Sequence, residues 1–118
     1  MPKITPIFIT LGVAFAFTHI LAVQLALYWY YPWFDIVMHF WGGILLVMGM
    51  YVLADIISLK RRLKKRYILL MSLAAIFGWE FFEQLAGISS APIYILDTIG
   101  DITVGLVGVL VGYVILRR

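Results

Sequence analysis

Four long apolar stretches dominate this 118-residue sequence and restrict what it can fold into. They run from about Ile7 to Tyr30, Asp35 to Leu59, Tyr67 to Gly87 and Thr98 to Leu116. Each meets the length of roughly 17–25 mainly apolar residues that a membrane-spanning helix needs. Lipid offers no hydrogen bonds to the backbone, so such segments must be helical. The sequence therefore predicts an all-α, integral membrane, antiparallel four-transmembrane-helix bundle, with residues 1–118 as a single domain.

The composition agrees with a membrane protein and excludes several kinds of chemistry. Hydrophobic residues make up 64% of the chain, well above the share typical of soluble domains. The apolar run that follows Lys3 is longer than the core of a signal peptide, so we expect an uncleaved first helix. The chain has no cysteine, which excludes disulfides, thiolate ligands and thiol catalysis.

The basic residues predict the orientation in the membrane. Six of them lie in the connection between the second and third spans, Lys60–Arg66, and the others lie near the two termini. By the positive-inside rule, this connection and both termini are cytoplasmic. We therefore expect a multi-pass protein of the plasma or inner membrane. The net charge of +3 reflects this orientation, and we expect no nucleic-acid partner.

Acidic residues and one histidine form three pairs on three different spans. The second span carries Asp35-x-x-x-His39, and the third carries Glu80-x-x-Glu83. The fourth carries Asp97-x-x-x-Asp101. Spacings of three and four place both members of a pair on one helix face. In the predicted topology all three pairs lie in one layer in the outer half of the membrane, although no lysine or arginine is near them. Acids in lipid without a basic partner mark a site for a cation or a proton.

Each of these residues also has a structural interpretation. Asp35 and Asp97 can be N-caps of the second and fourth helices. A lone interior His39 is more often hydrogen-bonded than bound to a metal. Glu80, Glu83 and Asp101 are not explained by capping, and their structural alternative is a cluster that shares protons. Two carboxylates about 4 Å apart repel by roughly 4 kcal/mol at an effective dielectric constant of 20.

A divalent metal ion is the better interpretation of this hard, oxygen-rich set of side chains. Carboxylates suit Mg²⁺, Mn²⁺ or Ca²⁺, and the single imidazole also permits Zn²⁺ or iron. The identity and the number of the ions stay open. The predicted metal ligands are Asp35, His39, Glu80, Glu83, Asp97 and Asp101.

Other side chains surround the predicted layer or serve packing. His19 and Gln24 on the first span are candidates either to orient a carboxylate or to bond between helices. Trp79 is expected to fill space and donate its indole N–H. The aromatic residues from Tyr28 to Phe34 indicate a membrane-interface belt. Gly108-x-x-x-Gly112 predicts close helix packing within the bundle, with a homodimer or a larger membrane complex as the alternative.

The motifs resemble a family of small bacterial membrane proteins. Asp35-x-x-x-His39-Phe40-x-Gly42-Gly43, Trp79-Glu80-x-x-Glu83 and Asp97-Thr98-x-x-Asp101 resemble the YjdF-like four-helix proteins, which are largely of unknown function. The sequence is more distantly similar to VanZ-like proteins, which are linked to glycopeptide resistance. In the VanZ-like pattern amides stand at the positions of Glu83 and Asp101, so this chain has a greater capacity for metal. The resemblance covers the last three spans and implies site positions, but no reaction.

Three functions are compatible with these patterns. The first is a metal-dependent membrane enzyme, such as a hydrolase or lipid-modifying enzyme, that acts on a lipid or lipid-linked substrate at the outer leaflet. The second is an accessory or structural membrane subunit with a stabilising metal site. The third is a cation or proton binding and transport module, for which four helices leave little room unless the protein is oligomeric.

Overall fold

The fold is entirely helical over the residues that the computed structural model describes, namely 3–57, 64–86 and 94–117. Four of its helices are long and apolar enough to cross a membrane, as the sequence predicted. A short fifth helix separates the first two. The helices are α1 (Ile4–Gln24), α2 (Leu27–Tyr30), α3 (Pro32–Ile56), α4 (Lys65–Leu85) and α5 (Tyr94–Leu116).

The first predicted span is interrupted before its predicted end at Tyr30. The helix ends at Gln24, and Ala26 adopts a left-handed conformation with φ of 55°. This conformation is unfavourable for a residue with a Cβ atom, and apolar periodicity does not reveal it. The chain then turns into α2, which packs against both α1 and α3.

The starts of α3 and α5 exclude the alternative that Asp35 and Asp97 are N-caps. α3 begins at Pro32, whose fixed φ suits the first helical position, and its N-cap is Tyr31. α5 begins at Tyr94. Both aspartates therefore lie within the first turn of a helix. A carboxylate still interacts favourably with the N-terminal dipole there, but it does not cap the helix.

α3 lies at the centre of the fold and contacts all the other helices. It runs parallel to α5, since Gly43 lies against Gly105 and Ile44 lies against Gly112 farther along both helices. It runs antiparallel to α1, since Gly42 lies near Phe15, whereas Gly49 farther along α3 lies near Phe8 earlier in α1. α4 completes the alternating up-and-down order, with Ile76 against Gly105 of α5.

Glycines bring the backbones of α3 and α5 into direct contact. A Cβ atom added at Gly43 would overlap the carbonyl oxygen of Gly105, and one at Gly108 would overlap that of Phe40. A Cβ atom added at Gly112 would lie 3.3 Å from the Cα atom of Ile44, which is also a tight contact. The Gly108-x-x-x-Gly112 motif therefore packs α5 against α3 inside the bundle, as expected of small residues between apolar helices.

Apolar side chains lie both inside and outside the bundle. Val47 of α3 and Val109 of α5 are fully buried and pack with Ile68 and Ile76 of α4. Many large apolar residues on the outer faces are exposed, and Phe17 of α1 is 63% exposed. Exposed apolar side chains all around a helical bundle are typical of a surface that faces lipid.

The basic residues within the described part of the chain lie at one end of the bundle. Lys65 lies at the start of α4, where its ammonium is 5.6 Å from the centre of the Tyr113 ring near the end of α5. Arg66 stacks on Tyr67, and Arg117 follows the end of α5. The described residues do not include Lys60, Arg61 and Arg62, which belong to the connection that is predicted to be cytoplasmic.

Candidate metal centre

The acidic pairs converge at the end of the bundle opposite to these basic residues. Asp35 and His39 lie on the first two turns of α3, and Asp101 lies on the second turn of the parallel helix α5. Glu80 and Glu83 lie on the last two turns of α4, which runs in the opposite direction. The structure thus brings together five of the six residues that the sequence singled out.

His39 connects α3 to α5 through two carboxylates. Its Nε2 atom lies 3.3 Å from Oδ1 of Asp35 and 3.3 Å from Oδ2 of Asp101. Charge-assisted N–H···O bonds are usually about 2.7–2.9 Å long, so His39 is not tightly bonded to either acid. Asp101 is buried, and the Asp35 side chain retains 28% exposure. This group therefore has a buried side and a side open to the surroundings.

Glu80 and Glu83 form a second group with the same Asp101. One ligand oxygen from each of these three residues lies within 4.8 Å of the others. Glu80 is only 6% exposed, and its Oε1 atom has no hydrogen-bond partner among the described residues. Buried polar atoms are nearly always hydrogen-bonded, so an unpaired oxygen on a buried carboxylate that belongs to a group of acids needs an explanation.

Asp97 is placed differently from the other five. It lies one helical turn before Asp101 on α5, and it is exposed. It belongs to neither of the two groups within which ligand atoms lie together. The sequence correctly placed Asp97 and Asp101 on one helix. Whether the Asp97 side chain points toward α3 and α4 depends on how α5 is rotated about its axis.

Trp79 donates its indole N–H, as the sequence suggested, and the acceptor is one of the acids. Its indole Nε1 donates a hydrogen bond of 2.8 Å to Oε1 of Glu83 one turn later on α4. This bond leaves the second oxygen of Glu83 available to a ligand. Donors that hold a ligating carboxylate in place are typical of metal sites. Trp41 instead packs edge-on against Phe15 and fills space between α3 and α1.

Tyr28 is a residue near the site that the sequence pattern assigned only to the aromatic belt. Its hydroxyl is 2.8 Å from Nδ1 of His19, so His19 bonds between α1 and α2. Burial, together with the negative charges of Asp35 and Glu83, raises the pKa of Tyr28 to about 12. Tyr28 is therefore a neutral hydroxyl close to the acids. The left-handed residue Ala26 lies two residues before Tyr28, at the turn between α1 and α2.

The arrangement is suited to binding cations. It contains four carboxylates and one imidazole, and among the described residues no lysine or arginine pairs with them. Oxygen ligands of this kind bind Mg²⁺, Mn²⁺ and Ca²⁺, and the imidazole adds affinity for Zn²⁺ or iron. Asp101 belongs to both groups and is the residue that connects them.

Comparison with protein-family models, with curated proteins and with solved structures finds no match to this chain. The resemblance to YjdF-like and VanZ-like proteins therefore stays a prediction. The function of the site has to be argued from its own residues and from their position in the bundle.

Proposed function

We propose that this chain is a multi-pass protein of the cell membrane that binds divalent metal through Asp35, His39, Glu80, Glu83 and Asp101. The bound metal serves an enzymatic reaction on a lipid or a lipid-linked substrate. One observation carries the metal proposal, namely that Oε1 of the buried Glu80 has no hydrogen-bond partner among the described residues, although Glu80 lies in a group of carboxylates with Glu83 and Asp101.

A cation explains Glu80 better than packing does. An unsatisfied buried acceptor costs about 1–3 kcal/mol, and more if it is charged. Glu83 and Asp101 cannot relieve this cost as carboxylates because they are acceptors themselves and carry the same charge. A metal ion between them supplies the missing positive charge and accepts lone pairs from all three residues. The competing explanation is that protons are shared within the cluster.

The position of the site favours a substrate at the membrane surface. The acids lie at one end of the bundle and Lys65, Arg66 and Arg117 lie at the other end. By the positive-inside rule, the basic end is cytoplasmic and the acids lie in the outer half of the membrane. Asp35 is partly exposed at this end of the bundle. In the proposed orientation this end lies near the lipid head groups of the outer leaflet. A metal ion at this depth can polarise a phosphoryl or carbonyl oxygen of a lipid.

Elemental analysis of the purified protein tests the metal proposal. We expect bound divalent metal in the wild type and a loss of metal in Glu80→Gln and Asp101→Asn. Asp97→Asn is the matched control, because it removes an acid from the same helix as Asp101 but from outside both groups. Retention of all metal by the first two variants would refute the proposal.

A second experiment separates the enzyme from the alternatives. The metal-loaded protein is reconstituted into vesicles made from the total lipid extract of its host cell, and the lipids are analysed by mass spectrometry. Conversion of a lipid that requires both metal and Glu80 supports the enzyme. Metal uptake into the vesicles without lipid conversion would instead identify a transport module. Metal binding with neither activity would identify a structural site.

A further inference from the structure

The two groups of acids raise the question of how many ions the cluster holds. All ligands of one ion must lie within about twice the metal–ligand distance, which is about 4.2 Å for Mg²⁺ and about 4.6–5.2 Å for Ca²⁺. Ligand atoms of Asp35, His39 and Asp101 lie within 4.8 Å of one another, and so do those of Glu80, Glu83 and Asp101. The five residues do not form a single group at this separation. An ion with ligand distances of about 2.0–2.2 Å, such as Mg²⁺ or Zn²⁺, therefore cannot bind all five in this arrangement.

We infer that the cluster holds two divalent ions that share Asp101 as a bridging ligand, one bound by Asp35 and His39 and the other by Glu80 and Glu83. This inference rests on the proposed metal-binding function and adds the number of ions and the ligands of each.

The geometry around His39 supports the first ion. Ligands about 2.1 Å from one ion lie about 3.0 Å apart in octahedral coordination and about 3.4 Å apart in tetrahedral coordination. The two distances from Nε2 of His39 to carboxylate oxygens are both 3.3 Å and fall within this range. They are longer than the hydrogen bonds that a protonated imidazole forms with carboxylates.

The unpaired oxygen of Glu80 supports the second ion. Glu80 belongs to the group that contains no nitrogen ligand, so an ion bound only by Asp35, His39 and Asp101 would leave this buried carboxylate without a cation. Trp79 already holds Glu83 in this group through its indole N–H. The second ion therefore has three carboxylate ligands, one of which is oriented by a neighbouring donor.

The charges of the cluster also match two ions. Asp35, Glu80, Glu83 and Asp101 carry four negative charges when ionised, and two divalent ions carry four positive charges. One ion beside a neutral His39 would leave two negative charges uncompensated where water is scarce. Because uncompensated charge is expensive in such surroundings, two ions fit this donor set better than one.

The ligands of the two ions differ, which sets their metal preference. The group with the imidazole suits Mn²⁺, iron or Zn²⁺, whereas the all-oxygen group suits Mg²⁺, Ca²⁺ or Mn²⁺. Mn²⁺ is compatible with both and is paramagnetic, so it is the appropriate probe. Two metal ions that share a carboxylate can together stabilise the attacking and leaving oxygens of a phosphoryl transfer.

Equilibrium dialysis of the full-length protein against Mn²⁺, followed by elemental analysis, tests the inference. We expect two equivalents per chain in the wild type and in Asp97→Asn. We expect one equivalent in Asp35→Asn, which affects only the first ion, and one in Glu83→Gln, which affects only the second. If Asp35→Asn does not fold, His39→Gln replaces it, and if Glu83→Gln does not fold, Glu80→Gln replaces it. Asp101→Asn should retain less Mn²⁺ per chain than either of the variants that lose one ion.

Electron paramagnetic resonance provides an independent readout. Two Mn²⁺ ions bridged by Asp101 are spin-coupled, whereas Asp35→Asn and Glu83→Gln should show the six-line signal of an isolated ion. One equivalent and an isolated signal in the wild type would overturn the inference and leave the proposed metal binding intact. No bound Mn²⁺ in the wild type would overturn both.

Discussion

Nε2 of His39 lies 3.3 Å from Oδ2 of Asp101, and these two residues belong to the two helices whose backbones touch. The contact between Gly105 and Gly43 lies about one turn farther along both helices. The spacing of the acidic cluster is therefore set by the glycines that let α3 and α5 approach. Packing and metal binding should change together when this approach is disturbed.

Gly108→Ala should destabilise the protein and weaken its metal binding. The new Cβ atom would overlap the carbonyl oxygen of Phe40, and a backbone atom cannot move away without separating the helices. Overpacking of this kind costs about 1–3 kcal/mol. The checks are the thermal transition in detergent and the affinity for Mn²⁺.

Gly100→Ala is the matched control on the same helix, because among the described residues no atom outside its own stretch of helix lies within 4 Å of its added Cβ atom. Alanine in a helix is favoured over glycine by roughly 0.5–1 kcal/mol, so this variant should be as stable as the wild type or more stable. Equal destabilisation by Gly108→Ala and Gly100→Ala would show that the close contact of α3 and α5 does not cause the loss of stability.

Removal of metal should lower the melting temperature at neutral pH. Metal that binds only the folded chain contributes about 2.7 kcal/mol of stability when its concentration is about 100 times its dissociation constant. Without metal the carboxylates of Glu80, Glu83 and Asp101 repel one another. Thermal melting with and without a chelator, at neutral pH and at about pH 5, measures the effect. The difference should shrink at the lower pH, because protons compete with metal for the ligands.

The double variant Glu80→Gln, Asp101→Asn should melt at the same temperature with and without chelator. If chelation does not affect the wild type at neutral pH and the double variant is more stable than the wild type, the cluster shares protons instead of binding metal.

Trp79→Phe should weaken metal binding without unfolding the protein. The phenyl ring keeps most of the packing but cannot donate the 2.8 Å hydrogen bond to Glu83. Loss of such an orienting donor typically lowers metal affinity about 10- to 100-fold. Titration with Mn²⁺ measures the change. Trp41→Phe is the control because Trp41 packs on Phe15, and an equal loss of affinity there would argue against a specific role of the indole N–H of Trp79.

The proposed orientation places the end with Lys64 in the cytoplasm and the end with Trp33 outside. The chain has no cysteine, so single cysteines can be introduced without background. An impermeant thiol reagent added to intact cells should label Trp33→Cys and leave Lys64→Cys unlabelled until the membrane is opened. Labelling of Lys64→Cys in intact cells would reverse the topology and place the acids on the cytoplasmic side.

Ala26→Gly should stabilise the junction between α1 and α2. Alanine in the left-handed region costs about 1–2 kcal/mol relative to its preferred conformations, and glycine does not have this cost. Part of the gain is offset by the greater freedom of glycine in the unfolded chain, so we expect a net gain of roughly 0.5–1 kcal/mol. Thermal melting measures it. A clear loss of stability would contradict the left-handed conformation of this residue.

The sequence by itself determined the long helices of the protein and the residue types that its candidate site brings together. Four apolar runs of spanning length predict four long helices, because an apolar medium leaves the backbone no other bonding arrangement. The spacings Asp35–His39, Glu80–Glu83 and Asp97–Asp101 place each pair on one helix face. The alternating directions of the helices bring the pairs to one end. All of these inferences depend on local geometry and on the order of the helices.

Only the tertiary structure decided which members of the pairs meet. The glycine contacts of α3 and α5 set how these helices are rotated and spaced, so Asp101 faces His39 and Glu80 while Asp97 remains exposed. The left-handed turn at Ala26 brings Tyr28 back to His19, although the apolar pattern predicted a continuous helix. Rotation about a helix axis and a break within an apolar run depend on contacts between distant residues, and a helical period contains no information about them.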